Sequence, residues 1–524
     1  MLSLVLFSCE KEPVMTPVEL ESFSILRKHN PRLRKDIRFT IEGERVTGVL
    51  PEYMTSTELV ANFSVTRDQG LYVDGVLQDS GHSVQDFSHP IIYELPLAGG
   101  VTKKYEVILE REEEQAPADL PVIRITTENG QAIDSKKNYV RGTITVEDKN
   151  HRYWDTTTFI APMAIKGRGN TSWNFPKKPY RVKLDVAEGL FGYRKNRDWI
   201  LLADYVDKTL LRNTVGMEIS RIVGMDWSPA MINVEVWLNG KYEGCYTFTE
   251  NKEISKGRVD IHPIGPLDNQ GEALTGDYYL EIDQELDKTV SWWTEQCRIP
   301  LMCSEPDVLT PQQEAYIKNY FASTEQALLG PDFQDPVTGY AQWIKVDSFV
   351  NAFIVNELTK NPDGNLRKST YLTKERGKKL KLYHLWDFDL AMGNCNYLDQ
   401  DFQATNGPEG WFVKTCSLNE VKDPQHKSLN WYVRLFEDPA FCQRVKEKWN
   451  AVRPELEKIP DFIRQQTSDL ERGAAERNFK RWDIMNQKFF NSVVVPGTYA
   501  GEVEYLIDFY TRRFQWMDAE IAAW

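Results

Sequence analysis

Two periodicities divide this chain. Alternation with a period of two recurs in short runs up to Ile282, and helical spacing dominates from about residue 311 to the end. Strands gathered first and helices gathered last make an α+β chain. At 524 residues it exceeds one ordinary core, so two or three domains are expected. Residues 113–121 are acidic, carry two prolines and read as a linker. Before them, residues 18–112 read as all-β, with runs at 37–41, 58–65, 91–95 and 104–110 separated by turn residues, as in a small sandwich. After them, 122–126, 140–146, 180–184 and 278–282 are strand-like, and 208–223 has helical spacing. Residues 232–238 and 242–249 flank Asn239-Gly240, a type I′ hairpin signal. Helices are expected at 311–330, 345–359, 431–458 and 500–523.

Composition is that of a soluble globular protein, with 41% hydrophobic and 27% charged residues. A net charge of -14 argues against a nucleic-acid partner, because phosphate contacts need an excess of Lys and Arg. Residues 1–9 are apolar, and Leu6-Phe-Ser-Cys9 resembles a bacterial lipobox, in which the Cys is lipidated and becomes the mature N-terminus. The basic n-region of a signal peptide is missing. On this reading residues 1–17 are signal and tether. Cys9 is then a lipid anchor, the protein is extracytoplasmic on the outer membrane or cell surface, and that anchor is its one membrane attachment. The other cysteines form no CxxC pair, so no zinc site is expected. Cys297 and Cys303 lie close enough in sequence for a bridge, and buried free thiols are the other reading.

The chemistry gathers in two places. Lys360-Asn-Pro-Asp-Gly364 sets Asp363 in a polar turn, where a carboxylate can accept or orient a hydroxyl proton. An Asx turn is the bland alternative. Further on, Leu385-Trp-Asp-Phe-Asp389 places Asp387 and Asp389 on what reads as a strand end, with both carboxylates on one side. Two acids beside Trp386 and Phe388 are costly without a cation, and Mg²⁺ wants hard oxygens. Asn394 is a further candidate ligand. In Lys166-Gly-Arg-Gly-Asn-Thr-Ser-Trp173 the glycines allow close backbone approach to phosphate, and Arg168 can bind it bidentately. No GK[ST] follows, so this is not a Walker A loop. Arg181 and Lys183 share one face of a strand, and Glu250 is a candidate carboxylate partner for Lys183. His384 is read as a packed residue.

These blocks together resemble the CotH family of atypical secreted kinases. The likeness runs from Lys166–Trp173 and Lys177–Leu184 through Trp199–Tyr205, Leu211–Thr214, Tyr242–Tyr246 with Glu250, Tyr279–Asp283, the Asp363 turn and Trp386–Asp389, to Trp431–Phe436 and Trp449. It implies a protein-kinase-like fold over 122–524 that binds ATP with Mg²⁺ or Mn²⁺ and phosphorylates Ser or Thr of a protein acceptor. It further implies Lys183 on phosphates, Lys166, Arg168 and Arg181 near the nucleotide, and Glu281 and Asp283 flanking the base-reading strand. Some members carry Asn shortly after the Asp363 position as a second metal ligand. Here those places read Lys368 and Ser369, and the nearest is Asn365. Residues 71–90 resemble the immunoglobulin-like modules of many Bacteroidetes surface lipoproteins, which implies a spacer or a contact module. Two other classes stay open: a non-catalytic adhesion or scaffold protein on the same fold, and a transferase of AMP or amino-acid groups.

Overall fold

The computed structural model describes residues 18–33, 35–51, 54, 56–66, 69–111, 120–364, 366–401, 404–414 and 431–524. Cys9, Cys416 and Asn365, with residues 112–119, lie outside them. The chain is mixed α+β and forms two compact units that part between Pro117 and Ala118, with His151–Asp155 grouped with the first.

The first unit has no helix among its described residues. Leu20–Ile25 is the centre of a three-stranded sheet, between Ile37–Arg38 and Asn62–Val65. Arg45–Leu50, Thr102–Arg111 and Ile91–Pro96 are neighbours in a six-stranded sheet. Alternation puts Phe23 of the first sheet and Tyr93 and Tyr105 of the second into one core. The Phe23 ring lies 5.0 Å from Phe39 and 5.1 Å from Tyr93. The Leu20 N–H donates to Tyr105 Oη across the sheets at 2.9 Å.

The second unit opens with a closed seven-stranded barrel. Its order is Val122–Thr127, Val140–Glu147, Thr158–Gly167, Tyr180–Glu188, Asn196–Leu202, Lys241–Glu250 and Ile232–Leu238. The last strand closes it by running parallel to the first, a pairing between residues more than a hundred positions apart that no local pattern signals. Asn239 and Gly240 have φ of 49° and 78°, the left-handed pair that a type I′ turn requires. A five-stranded sheet follows, with Tyr278–Ile282 at its centre between Pro300–Glu305 and Thr370–Lys374, and Leu380–Leu385 at one edge.

Helices Pro311–Leu329, Val346–Thr359 and Tyr499–Ala522 match their expected positions. The expected helix over 431–458 is instead two, Trp431–Leu435 and Pro439–Leu456. Pro439 has no N–H to continue the first, and Asp438 caps the second by accepting from the Ala440 N–H at 2.9 Å. Cys297 and Cys303 do not bridge. All five described cysteines are free, and burial pushes the Cys303 thiol up to about 12. Among the described residues no helix is long and apolar enough to cross a membrane.

Candidate functional site

Helix Val346–Thr359 ends where Lys360 turns left-handed, with φ of 47°. The next residue makes the turn: Asn361 Oδ1 accepts from the Asp363 N–H at 3.1 Å, an Asx turn. Asn361 thus makes an Asx turn of its own, while Asn365, the residue with which Asp363 would make one, lies outside the described residues. A Cβ on Gly364 would collide with the Asn356 side chain, so only glycine fits there. Burial and the neighbouring Asp387 raise the Asp363 pKa, while Arg367 and Lys368 pull it back.

Strand Leu380–Leu385 stops short of Asp387, which sits at φ of 56°. Strand alternation therefore does not set its direction, contrary to expectation. Hydrogen bonds hold it instead. Ser369 Oγ donates to Asp387 Oδ2 at 2.8 Å, and Asn361 Nδ2 donates to its carbonyl at 3.2 Å. The Phe388 N–H donates to Asn213 Oδ1 at 2.8 Å. The loop beyond is held by Arg212, buried against Asp207 at 2.6 Å, which donates from Nε to the Ala391 carbonyl at 3.0 Å. Asn394 donates to the carbonyls of Asp389 at 2.7 Å and Val206 at 3.0 Å, so its amide nitrogen braces the loop. Left-handed non-glycine residues gather here, at Asp204, Lys360, Leu366, Ser369, Asp387 and Met392. Such strain persists only where surrounding structure over-determines it, and it favours functional sites.

The charges define the centre. Burial lifts the Asp389 carboxyl well above the carboxylate range, and Asp387, Asp204, Asp363 and Asp207 add to it in that order. Arg168, just past the barrel strand Thr158–Gly167, is under the electrostatic influence of Asp387 and Asp389. Its own pKa is lowered by burial and raised in part by those two acids. Asn361 ties the Asp363 turn to the Asp387 segment, accepting from the Asp363 N–H and donating to the Asp387 carbonyl, and Arg168 belongs to a third segment. Asp283 joins their edge: burial holds its carboxyl up at about 6, with Glu281 and Asp363 raising it and Lys368 opposing.

Lys183 and Glu250 do not meet. Lys183 stands in register with Asp198 on the next strand and pairs with it at 4.0 Å, while Glu250 lies one strand further, opposite Trp199. Arg258 takes Glu250 at 3.2 Å in the interior. Arg181 shares Asp198, with Nε to Oδ1 at 2.8 Å, and Lys166 lies over the Tyr139 ring at 4.8 Å. The lysine that does reach the acids is Lys252, which no motif marks in the sequence. It donates to Tyr371 Oη and stands 3.9 Å from Glu281. Tyr371 Oη donates in turn to Glu281, whose second oxygen accepts from Ser304 Oγ at 3.2 Å. His384 is buried, with Nε2 2.7 Å from Tyr279 Oη and its ring stacked 4.3 Å from Tyr371. Lys252, Glu281, Tyr371 and Arg181 line a cleft of about 530 Å³ between the barrel and the five-stranded sheet.

Among the described residues no group of three or more His, Cys, Asp or Glu is arranged to hold a metal. A divalent cation that keeps its waters and takes phosphate oxygens needs only one or two carboxylates. Asp387 and Asp389 supply hard oxygens, and burial first and the nearby acids second push Asp389 up. The donor set therefore fits Mg²⁺ or Mn²⁺ shared with a phosphate ligand, and does not fit a metal held by protein alone.

The mixed α+β chain thus has a cleft between barrel and sheet lined by Arg181, Lys252 and Lys288 and by Glu253, Glu281, Glu305 and Asp307. The CotH kinase protein family matches residues 165–517, and the chain belongs to that family. No curated protein matches the chain. Among solved structures it is similar to a candidate glycoside hydrolase from Bacteroides thetaiotaomicron, at 14% identity over 52% of this chain and 63% of that one, with a TM-score of 0.16. That likeness is too slight to bear on fold or function.

Proposed function

We propose that this chain is a metal-dependent protein kinase that transfers the γ-phosphoryl group of ATP to a Ser or Thr hydroxyl of a protein acceptor. The observation that carries the reading is Asn361, whose side chain accepts from the Asp363 N–H at 3.1 Å and donates to the Asp387 carbonyl at 3.2 Å, so that one amide joins the Asp363 turn to the Asp387 segment. Asp363 accepts the hydroxyl proton, and its raised pKa makes it a stronger acceptor than a solvated carboxylate. Arg168, on which Asp387 is the largest charged influence, holds phosphate oxygens there. Lys166 and Arg181 extend the positive wall outward. Asp387 and Asp389 hold Mg²⁺ or Mn²⁺, which supplies charge neutralisation on the phosphate oxygens. Ser369, in the place where some relatives carry a metal-binding Asn, fixes Asp387 instead. On the larger scale, the barrel followed by a sheet and helices, with the Asp363 turn preceding a hairpin and then Asp387, supports a kinase-like fold. The first unit serves as an immunoglobulin-like spacer, with lipidated Cys9 anchoring the protein outside the cytoplasm.

The pair Asp387 and Asp389 makes a thermal prediction. Without metal, ionised Asp389 opposes folding, so Asp389→Asn raises the melting temperature in EDTA. Added Mn²⁺ with ATP raises that of wild type and leaves the variant nearly unmoved. Equal shifts in both proteins, followed by calorimetry, would remove Asp389 from the metal site.

The activity itself is tested by incubating the purified chain with γ- or α-labelled ATP, Mg²⁺ or Mn²⁺, and cell-surface extract. Label from the γ position on Ser or Thr is the expected result. Label from the α position would make it an AMP transferase. Neither label, with no nucleotide bound, would make it a scaffold.

A further inference from the structure

Lys252 is the least explained charge in the larger unit. Its side chain is 17% exposed and lines the cleft. Beneath it lie two rings, Tyr371 at 4.2 Å and Trp386 at 5.1 Å from the amine. An ammonium group has three donors. Tyr371 Oη takes one, and Glu281 at 3.9 Å is an ion pair beyond hydrogen-bond reach. Burial pulls its pKa down, Glu281 and then Asp387 pull it up, and Arg168 repels it. Lys252 thus lines the cleft above Trp386, the chain neighbour of Asp387, with donors unspent among the described residues.

Resting on the kinase reading above, we propose that Lys252 is the cation that anchors the nucleotide's phosphates in this chain, with Glu281 and Tyr371 as the groups that position it. The Lys252–Glu281 pair then does the work that Lys183 and Glu250 are too far apart in the barrel to do. A lysine meant only to brace the fold would spend its donors on protein carbonyls, as Lys208 does on Met485 and Gln487 and Lys360 does on Gly407 and Glu409. Lys252 makes no such carbonyl contact among the described residues. The rings below it favour the cation and leave its upper side to the cleft. A phosphate held there would lie on the side of Trp386, whose chain neighbour Asp387 would supply an oxygen to the metal. Tyr371 joins both partners, donating to Glu281 and accepting from Lys252, so it fixes their separation.

The full chain is titrated by calorimetry with adenosine, ADP and ATP in Mn²⁺, as wild type, Lys252→Met, Lys183→Met and Tyr371→Phe. For Lys252→Met the expected result is unchanged adenosine affinity and a loss of about 10- to 100-fold for ADP and ATP, the range of a charge-assisted hydrogen bond. Tyr371→Phe keeps the cation and loses its register, so ATP affinity falls less. Thermal melts confirm folding. Should Lys252→Met fail to fold, Lys252→Arg, which keeps the charge with a different donor geometry, carries the test through the ratio of ATP to adenosine affinity. Wild-type phosphate discrimination in folded Lys252 variants, or a loss carried by Lys183→Met alone, would overturn the proposal. Wild type that binds none of the three would overturn the kinase reading itself, and the proposal with it.

Discussion

Asp387→Asn is expected to lower metal-dependent ATP turnover by about a thousandfold or more while the protein stays folded, because a metal clamp on transferring phosphate is worth several kcal/mol. Asn is the informative replacement. It keeps the volume, can still accept from Ser369 Oγ, and tolerates the left-handed φ of 56° at this position better than Ala would. What it removes is the negative charge. Asp387 is the largest charged influence on Asp389 and on Arg168, so its loss should relax both. A folded variant with wild-type turnover, measured by phosphate release, would dismiss Asp387 as a metal ligand.

Arg513→Met is expected to cost about 3–5 kcal/mol of stability, read by denaturant unfolding, because it leaves a buried carboxylate unpaired. Arg513 and Glu357 are both 0% exposed and pair at 2.6 Å. Arg513 also donates to the carbonyls of Glu357, Pro408 and Gly410 at 2.7 to 2.8 Å. Glu357 accepts in addition from the N–H groups of Phe412 and Lys414. One pair thus ties the last helix to the helix that ends at the Asp363 turn and to the segment 408–414. The double variant Glu357→Gln with Arg513→Met should recover part of the loss, since neither charge is then stranded. A single-variant cost under about 1 kcal/mol would show that water reaches the pair.

What was legible in the sequence was local. Asn239-Gly240 announced its hairpin because two left-handed residues in succession have few other uses. The Asp363 turn and the Asp387–Asp389 stretch were visible because each packs its polar residues within a few positions. Strand partnership was not legible. Arg181 and Lys183 were correctly placed on one face, but their partner depended on which strand lies alongside, and that is set by barrel closure between Val122–Thr127 and Ile232–Leu238. Lys252 was missed for the same reason: its surroundings, Tyr371, Glu281 and Trp386, come from residues up to 134 positions away. The break at Asp438-Pro439 carried both a capping residue and a proline, and helical periodicity across it hid the signal.

Asp387, Asp389 and the neighbouring cations must form one nucleotide–metal site if this chain is a kinase. The direct measurement is calorimetric titration of the full chain with ATP, in Mg²⁺, in Mn²⁺ and in EDTA. Saturable binding that requires the metal and is lost in Asp387→Asn is the predicted result. Absence of binding under every metal condition, with the protein folded, would contradict it.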